Sequence, residues 1–329
     1  MLPFVLELTL RFKGRDIWGK APWTSKHLEH ARKVIDEMQR YDNTAGFFLG
    51  NQLASILAYE HSYVAPFLKS AIRDVKSYIK KKKYRSVPIG FEDNTRQPLY
   101  PPLVREYLTC PTLKETDLDA DFFAQTIHQD CYGGEADASG KVKTMIETLA
   151  SKSQNSTIPV IVTDLGGNSC ATRTFAEMDA LYSNDLSGAF LQYDPIYPFR
   201  FDHRLVNYQN HYLMDPAGED LHNEVLTPTP VKPSFDNLKE KWATLKPVGV
   251  RKDKYSPTAR RPPCPSYQSE LWGMNGAVAL PKVDQVFDNE LKKSWETQKA
   301  DAKSGTQSRK PVGSTAFVHG LLAVLAMIA

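Results

Sequence analysis

The chain of 329 residues is 41% hydrophobic and 24% charged, and its formal net charge is +3. This composition is ordinary for a globular protein and allows one large domain of about 250 residues with tails. The net charge is too small to indicate a nucleic-acid-binding protein, so no nucleic acid is expected as a partner. The densest basic run, Lys80 to Lys83, follows an amphipathic pattern and is interpreted as the solvated last turn of a helix.

Strands and helices are predicted to alternate along most of the chain. The first helix runs from about Lys26 to Arg40, capped by Thr24 or Ser25, and a second covers Tyr63 to Ile79. Further strands are predicted near residues 1–8, 46–49, 86–91, 121–127, 158–163 and 187–193, further helices at 103–108, 142–152, 175–182 and 235–245, and a hairpin at 204–214. Such alternation is typical of a parallel α/β fold with crossover helices.

Two predicted strands end in polar residues. The apolar run Gly46-Phe47-Phe48-Leu49 leads into Gly50-Asn51-Gln52, and the β-branched run from Ile158 leads into Asp164. Barrel enzymes keep their chemistry at the C-terminal ends of parallel strands. The structural alternatives are a plain Gly-Asn turn and an aspartate that caps the turn after its strand.

A series of segments, all in one order, resembles the fungal cell-wall β-1,3-glucanosyltransferases, the GPI-anchored retaining transglycosidases of glycoside hydrolase family 72. The segments are 22–38, 41–43, 46–52, 71–79, 87–90, 106–110, 120–123, 158–160, 164–168 and 177–183, within roughly residues 1–265. The resemblance implies a (β/α)8 TIM-barrel-type glycosidase fold. Counting from Met1 gives six strand–helix units where a closed barrel needs eight, so the expected fold lacks its first two βα units.

The resemblance also places the family's two catalytic positions in this chain. The acid/base glutamate after Gly-Asn corresponds to Gln52, and the nucleophilic glutamate corresponds to Asp164. An amide cannot donate a proton to a leaving oxygen, and general acid–base catalysis is typically worth roughly 10²–10⁴-fold. Aspartate can form the glycosyl ester, but its carboxylate is one methylene shorter, and a misplacement of about 1 Å can cost ~100-fold.

The expected sugar-binding residues follow from the same resemblance. Asn51 matches the family asparagine beside the acid/base position, and His128 and Tyr132 lie where the family has an aromatic-rich segment after its sixth strand. Tyr193 and Tyr197 replace a second such segment after the eighth strand. The alternative is that these tyrosines and the histidine are ordinary exposed loop residues. No metal site and no cofactor are expected.

Four cysteines lie far apart and lack the spacing of metal ligands. Their even number in a secreted protein suggests two disulfides, for which the sequence permits three pairings. The resemblance implies Cys110 with Cys264 and Cys131 with Cys170, although Cys170 is displaced by three residues from the family position at Gly167.

The C-terminal part of the chain suggests a linker and a membrane anchor. The expected organisation is a partial barrel domain at 1–250, a Pro- and charge-rich linker at 251–303 and a GPI-attachment signal at 304–329. Residues 267–315 are expected to be mostly disordered, with a helical piece near Val283 to Trp295. The small triplet that begins at Ser304, a polar spacer and an apolar tail of about 14 residues form that signal. The alternative is a disordered apolar tail. The N-terminus lacks a basic n-region and a cleavage site, which suggests missing upstream sequence.

The expected function follows from these features. The chain is interpreted as a β-1,3-glucanosyltransferase-like glycoprotein of the fungal cell wall or membrane, GPI-anchored, extracellular, and with a glycosylation sequon at Asn155. The family reaction cleaves a β-1,3-glucan internally and transfers the new reducing end to the non-reducing end of another glucan. Because of Gln52 and Asp164, catalysis is expected to be impaired or absent. The alternative is a non-enzymatic, GPI-anchored, glucan-binding surface protein.

Overall fold

The computed structural model divides into two compact units. It describes residues 4–8, 17–50, 59–94, 103–111, 118–128, 144, 157–166, 174–175, 178–179, 182, 191–192, 214–215, 229–246, 260–268 and 271–297. The first unit comprises Met1–Ala124, Asn155–Pro159 and Arg251–Ala329, and the second comprises Gln125–Gln154 and Val160–Val250. Among the described residues, none of the helices combines the length and the apolar character needed to cross a membrane.

The first unit is built on parallel strands with helices between them. Its elements in chain order are β1 (Phe4–Leu8), α1 (Ser25–Met38), β2 (Thr44–Leu49), a 3₁₀ helix (Tyr59–Val64), α2 (Ala65–Lys82), β3 (Ile89–Asn94), α3 (Leu103–Thr109) and the start of β4 (Phe123–His128). The strands lie in the order β1-β2-β3-β4, and β2 pairs in parallel with both β1 and β3. The predicted alternation of strands and helices is therefore confirmed in this unit.

The two long helices begin and end where the sequence indicates. The backbone N–H of His27 donates to Oγ1 of Thr24 at 3.2 Å, which makes Thr24 the N-cap of α1. Helix α2 has Pro66 in its first turn, where no backbone donor is needed. It ends at Lys83 in the left-handed conformation, with φ of 57°. The basic run preceding that residue is exposed, as predicted for a last helical turn.

The sheet of the first unit has two distinct faces. The ring of Phe91 on β3 lies 5.0 Å from that of Phe123 on β4, and the guanidinium of Arg105 on α3 lies over Phe123 at 5.4 Å. Phe91 and Phe123 therefore face the helices. Because side chains alternate along a strand, Gly90 faces the opposite side, which we call the inner face. A Cβ atom on Gly90 would lie 2.5 Å from the ring of Phe122, so that ring covers the inner face there.

The described part of the proline- and charge-rich C-terminal segment, residues 260–268 and 271–297, is packed, which corrects the expectation of a mostly disordered linker over those of its residues that fall in 267–315. Residues 260–268 and 271–297 are described, and helix α5 spans Asn289–Thr297. Trp272, Phe287 and Trp295 in this segment are at most 1% exposed. The rings of Phe287 and Trp295 pack on Phe67 of α2, with centroids 6.3 and 5.7 Å away. The segment packs on α2 through a few large side chains, which are widely spaced in the sequence and show no helix or strand periodicity.

The described residues of the second unit form two pairs of strands and a helix. Its elements are the rest of β4, β5 (Val160–Gly166), β6 (Leu191–Gln192), β7 (Met214–Asp215), β8 (Thr229–Pro230) and α4 (Ser234–Thr244). β5 and β6 are parallel, whereas β7 and β8 are antiparallel. β7 lies at the end of the hairpin predicted at 204–214 and pairs with β8, which follows it in the chain. Residues 204–213, and all of the helix predicted at 142–152 except Thr144, lie outside the described residues.

Candidate functional site

Strands β1 and β2 of the first unit end at the same level, opposite Phe91 of β3. Leu8 of β1 pairs with Leu49 of β2, which pairs in turn with Phe91 of β3. Immediately after Leu49 the chain turns at Gly50, whose φ of +79° is a conformation that residues with a side chain rarely adopt. Asn51 and Gln52 thus follow directly in sequence on a glycine that the backbone conformation requires.

A buried carboxylate lies at the same edge of the sheet. Glu92 is one residue beyond Phe91 on β3, and its exposed fraction is 5%. Because Phe91 faces the helices, Glu92 faces the inner side, as Gly90 does. Glutamate is almost never fully buried in proteins unless it is paired, and Glu92 has an interaction partner in the structure. A carboxyl at the C-terminal end of a parallel strand, directed to the inner face, occupies the part of a barrel-type fold in which catalytic residues are found.

For two of the predicted site residues, the structure describes the backbone but not the side chain. Asp164 is the fifth residue of β5, and His128 is the last residue of β4. The side chains of both lie outside what the structure describes. Gln52, Asn51, Tyr132, Tyr193, Tyr197, Asn155 and Ser304 also lie outside the described residues. Their roles therefore stay predictions from the resemblance.

The sequence reasoning overlooked Glu92. The sequence Ile89-Gly90-Phe91-Glu92 has the pattern of an apolar strand that ends in a carboxylate. The strand before Asp164 has the same pattern, so Glu92 could have been predicted as a candidate. The strand itself was predicted to stop at Phe91, whereas β3 extends to Asn94. With that shorter boundary Glu92 falls in a loop, where it was not predicted to be a site residue.

A disulfide joins the C-terminal segment to the end of α3. Cys110 and Cys264 are bonded, with their Cα atoms 5.0 Å apart, which confirms the pairing that the resemblance implied. The partners proposed for the second bridge, Cys131 and Cys170, lie outside the described residues. The confirmed bridge is structural, because Cys110 is fully buried and remote in sequence from the polar strand ends.

A buried ionic cluster surrounds this disulfide. The Nζ atom of Lys69 donates to the carbonyls of Tyr107 and Cys110 at 2.9 and 2.8 Å and lies 3.7 Å from Oδ1 of Asp119. Burial lowers the pKa of Lys69 to about 8, although the Asp119 carboxylate opposes this. Arg261 of the C-terminal segment pairs with the other oxygen of Asp119 at 2.6 Å. The cluster satisfies the last carbonyls of α3 and fixes the C-terminal segment to them.

Parallel strands connected by helices, with polar residues at the strand ends, define the class of barrel-type α/β enzymes. Residues 11–201 match the family model described as glucanosyltransferase, of glycoside hydrolase family 72. The match covers more than half of the chain. The chain therefore belongs to this family of β-1,3-glucanosyltransferases.

Curated relatives extend the same similarity. The 1,3-beta-glucanosyltransferase gas2 of Schizosaccharomyces pombe is 29% identical over 265 residues, which is 79% of this chain and 52% of the relative. The 1,3-beta-glucanosyltransferase GAS2 of Saccharomyces cerevisiae is 27% identical over 259 residues, covering 77% of this chain and 42% of the relative. The chain thus spans about half of the length of the curated relatives that it matches.

Solved structures establish the fold. The complex of Saccharomyces cerevisiae Gas2p with laminaritriose and laminaritetraose superposes with a TM-score of 0.61 at 24% identity, over 86% of this chain and 59% of that protein. A glutamate-to-glutamine mutant of Gas2p in complex with laminaritetraose and laminaripentaose gives a TM-score of 0.59 at 24% identity, over 83% of this chain and 55% of that protein. The chain has the TIM-barrel-type glycosidase fold of these proteins, of which the first unit forms part of the parallel sheet.

Proposed function

We propose that this protein binds β-1,3-glucan and catalyses glucanosyl transfer more slowly than its relatives do. Family membership supports the reaction class, and the laminari-oligosaccharides held by Gas2p support the substrate class. The reduced rate is expected from the acid/base position, where this chain has Gln52 and the family has a glutamate. The reaction type is retaining transfer between glucan chains.

Two carboxyl groups normally perform this chemistry. In a retaining enzyme they lie about 5–5.5 Å apart, one acting as nucleophile and the other as acid and then base. Asp164 would attack the anomeric carbon, while Gln52 would supply only hydrogen bonds. The expected rate loss from the amide alone is roughly 10²–10⁴-fold.

Glucan binding without turnover is the second candidate function. The Gas2p mutant with glutamine in place of a glutamate is found in complex with laminaritetraose and laminaripentaose, so a member of the fold that carries such a substitution holds glucan oligomers. Under this candidate the chain is a non-enzymatic surface protein that recognises wall glucan, and Asn51, His128, Tyr132, Tyr193 and Tyr197 are its proposed contacts.

Incubation of the purified full chain with laminari-oligosaccharides separates these candidates. Mass spectrometry measures longer and shorter transfer products, and calorimetry measures binding. We expect binding and slow transfer, with a gain of roughly 10²-fold or more in the Gln52→Glu variant because a proton donor is restored. The Gln52→Leu variant serves as the matched control and should show no gain. Failure of the wild-type chain to bind any laminari-oligosaccharide would refute the proposed function.

We further propose that the protein acts at the outer surface of a fungal cell, attached through a GPI anchor near Ser304. The small triplet, the polar spacer and the apolar tail support this location. Treatment of cells with a phosphatidylinositol-specific phospholipase should release a tagged chain from the membrane. Retention of the tagged chain on treated cells, with a known anchored protein released in parallel, would count against the anchor.

A further inference from the structure

A basic patch lies at one edge of the first unit, and the proposed chemistry does not use it. The patch consists of five exposed residues, Lys80, Lys81, Lys82, Lys83 and Arg85. Helix α2 ends at Lys82 and β3 begins at Ile89, so the patch lies at the N-terminal edge of the parallel strands. Gly50, after which Asn51 and Gln52 follow in sequence, lies at the opposite, C-terminal edge. A molecule on the patch therefore leaves that edge free.

Arg85 attaches the patch to the start of the neighbouring strand. Its guanidinium donates to the carbonyls of Tyr41 and Thr44 at 3.3 and 2.9 Å, and Thr44 is the first residue of β2. The Nζ atom of Lys82 lies over the ring of Tyr78 at 5.6 Å. The patch is thus part of the folded sheet edge and not only the end of a helix.

The carboxylates around the patch are bound by other donors. Asp36 accepts hydrogen bonds from the hydroxyls of Tyr78 and Tyr84 at 2.6 and 2.8 Å. Glu37 pairs with Arg40 at 3.1 Å. Within the part of the chain that the structure describes, the lysines that have no carboxylate at ion-pair distance include Lys80, Lys81 and Lys83. Their charges are therefore available to an anionic partner.

The stability of α2 does not account for so many cations. Lys83 has a φ of 57°, a conformation in which glycine is the favoured residue because it has no side chain. Cations in the last turn complement the helix dipole, but this effect falls off within that turn. The sequence has a further lysine at a position where glycine would stabilise the helix end. The charge density of the patch thus exceeds what the helix requires.

The composition of the patch favours an anionic polymer as the partner. Lysine acts as a point charge rather than a bidentate fork, so a lysine cluster responds to charge density more than to the geometry of one group. The exposed residues of the run are lysines, Arg85 and Ser86, which offer no apolar side chain for the core of a protein interface. β-1,3-Glucan is uncharged and does not match the patch.

An anionic membrane is the competing partner, and the position of α5 argues against it. Trp295, near the end of α5, packs on Phe67 in the first turn of α2, with ring centroids 5.7 Å apart. Lys81 lies in the last turn of α2, about 21 Å further along the helix at 1.5 Å per residue. The proposed anchor at Ser304 follows α5 closely in sequence. Helix α5 therefore ends beside the end of α2 that is remote from the patch.

We propose that the basic patch binds an acidic polysaccharide of the cell surface, through ion pairs between its lysines and anionic groups spaced along the polymer. The polymer holds the protein by the N-terminal edge of its strands, while the opposite edge stays available to glucan. This inference goes beyond glucan transfer. It rests on the proposed cell-surface location only for the source of the polymer.

Dextran sulfate is the probe for this site, and fluorescence anisotropy of the labelled polymer measures its binding to the purified full chain. We expect the Lys81→Gln/Lys83→Gln variant to bind roughly tenfold or more weakly, because each lysine close to an anionic surface adds to the attraction. Binding by the wild-type chain should weaken as salt is added. The matched control is Lys26→Gln/Lys282→Gln, which removes the same charge from two exposed lysines near the start of α1. It should lower the affinity by less than about twofold.

The Lys83→Gly variant separates binding from folding. Because glycine suits the left-handed conformation, the urea midpoint of this variant should rise or stay unchanged. Its affinity for dextran sulfate should nevertheless fall by roughly threefold or more. An unchanged affinity would show that the lysine serves only to end the helix, and would overturn the proposal.

The remaining outcomes are equally decisive. Equal weakening in the two double variants overturns the proposal, since net charge rather than the patch would then cause binding. Absence of wild-type binding to dextran sulfate, or equal binding to neutral dextran, also overturns it. Tighter binding to phosphatidylserine vesicles than to dextran sulfate at equal anionic charge overturns it in favour of a membrane. A chain that binds dextran sulfate but no laminari-oligosaccharide supports the inference and refutes the proposed function, and the reverse result refutes the inference alone.

Discussion

Gly90 shows how a single residue shapes the inner face. Its missing side chain provides the space that the ring of Phe122 occupies, since a Cβ at this position would lie 2.5 Å from two atoms of that ring and 2.7 Å from a third. Gly46 on the neighbouring strand is less restrictive, since a Cβ there would lie 3.0 Å from Pro88 and 3.3 Å from the ring of Phe122. The glycine at position 90 is thus a packing requirement of the sheet face on which Glu92 lies.

We expect Gly90→Ala to lower the free energy of unfolding by about 1–3 kcal/mol, because overpacking forces the Phe122 ring or the backbone to move. Urea denaturation followed by circular dichroism measures this change. Gly90→Ala combined with Phe122→Leu should recover part of the loss. If Gly90→Ala leaves stability unchanged and the double variant loses more than Phe122→Leu alone, the assignment of the two faces is wrong.

At the scale of secondary-structure elements, Lys69 connects helices α2 and α3. It projects from α2 and caps the C-terminal end of α3 by donating to the carbonyls of Tyr107 and Cys110. Helix ends leave carbonyls that need such donors. The arrangement places a charge in a fully buried position, and Asp119 offsets part of the cost.

Stability should rise with pH from about pH 8 to about pH 10, because burial lowers the pKa of Lys69 to about 8 from 10.5. In this interval the unfolded chain holds a proton that the folded chain has released, which gives the free energy of unfolding a positive slope against pH. Tyr78, whose pKa is raised to about 12, reverses the trend above about pH 10. Urea titrations across this interval measure the slope.

The Lys69→Met variant isolates this contribution. It should lack the slope and lose about 3 kcal/mol near neutral pH, since the carbonyls of Tyr107 and Cys110 lose their donor. Lys33→Met is the matched control, because Lys33 lies on the exposed side of α1. A slope that persists in Lys69→Met would show that another group causes it.

At the scale of the whole chain, residues distant in sequence complete the first unit. The disulfide joins positions separated by 154 residues. Phe287 exchanges backbone hydrogen bonds with the segment before α1, since Gly19 donates to its carbonyl at 3.0 Å and its own N–H donates to Lys20 at 2.8 Å. The hydroxyl of Tyr63 also donates to Glu296 of α5 at 2.6 Å. The C-terminal segment is therefore an integral part of the first unit.

Removal of the disulfide by the double substitution Cys110→Ala and Cys264→Ala should cost about 2–5 kcal/mol, because the bridge closes a long loop in the unfolded chain. Denaturation of the oxidised wild type and of the variant gives the difference. The same experiment under reducing conditions is the control, since the two proteins should then approach each other. Equal stability under oxidising conditions would contradict a stabilising role.

Several features could be read directly from the sequence. The helices α1 and α2, the buried strand before Gly50 and the alternation of elements follow from apolar periodicity and capping residues, which are local properties. The Cys110–Cys264 bridge was implied by the resemblance and is present. Family membership followed from motifs in one order, and the family match confirms it.

By itself, the sequence determined the family and the main helices of the first unit, and it led to the prediction that Gln52 stands at a catalytic glutamate position. Only the tertiary structure decided that Glu92 lies on the inner face and that the segment ending at Thr297 packs against α2. The physical reason is that both depend on contacts between distant segments. Strand register fixes the face of Glu92, and the apolar surface of α2 fixes a segment whose few large side chains show no period of their own.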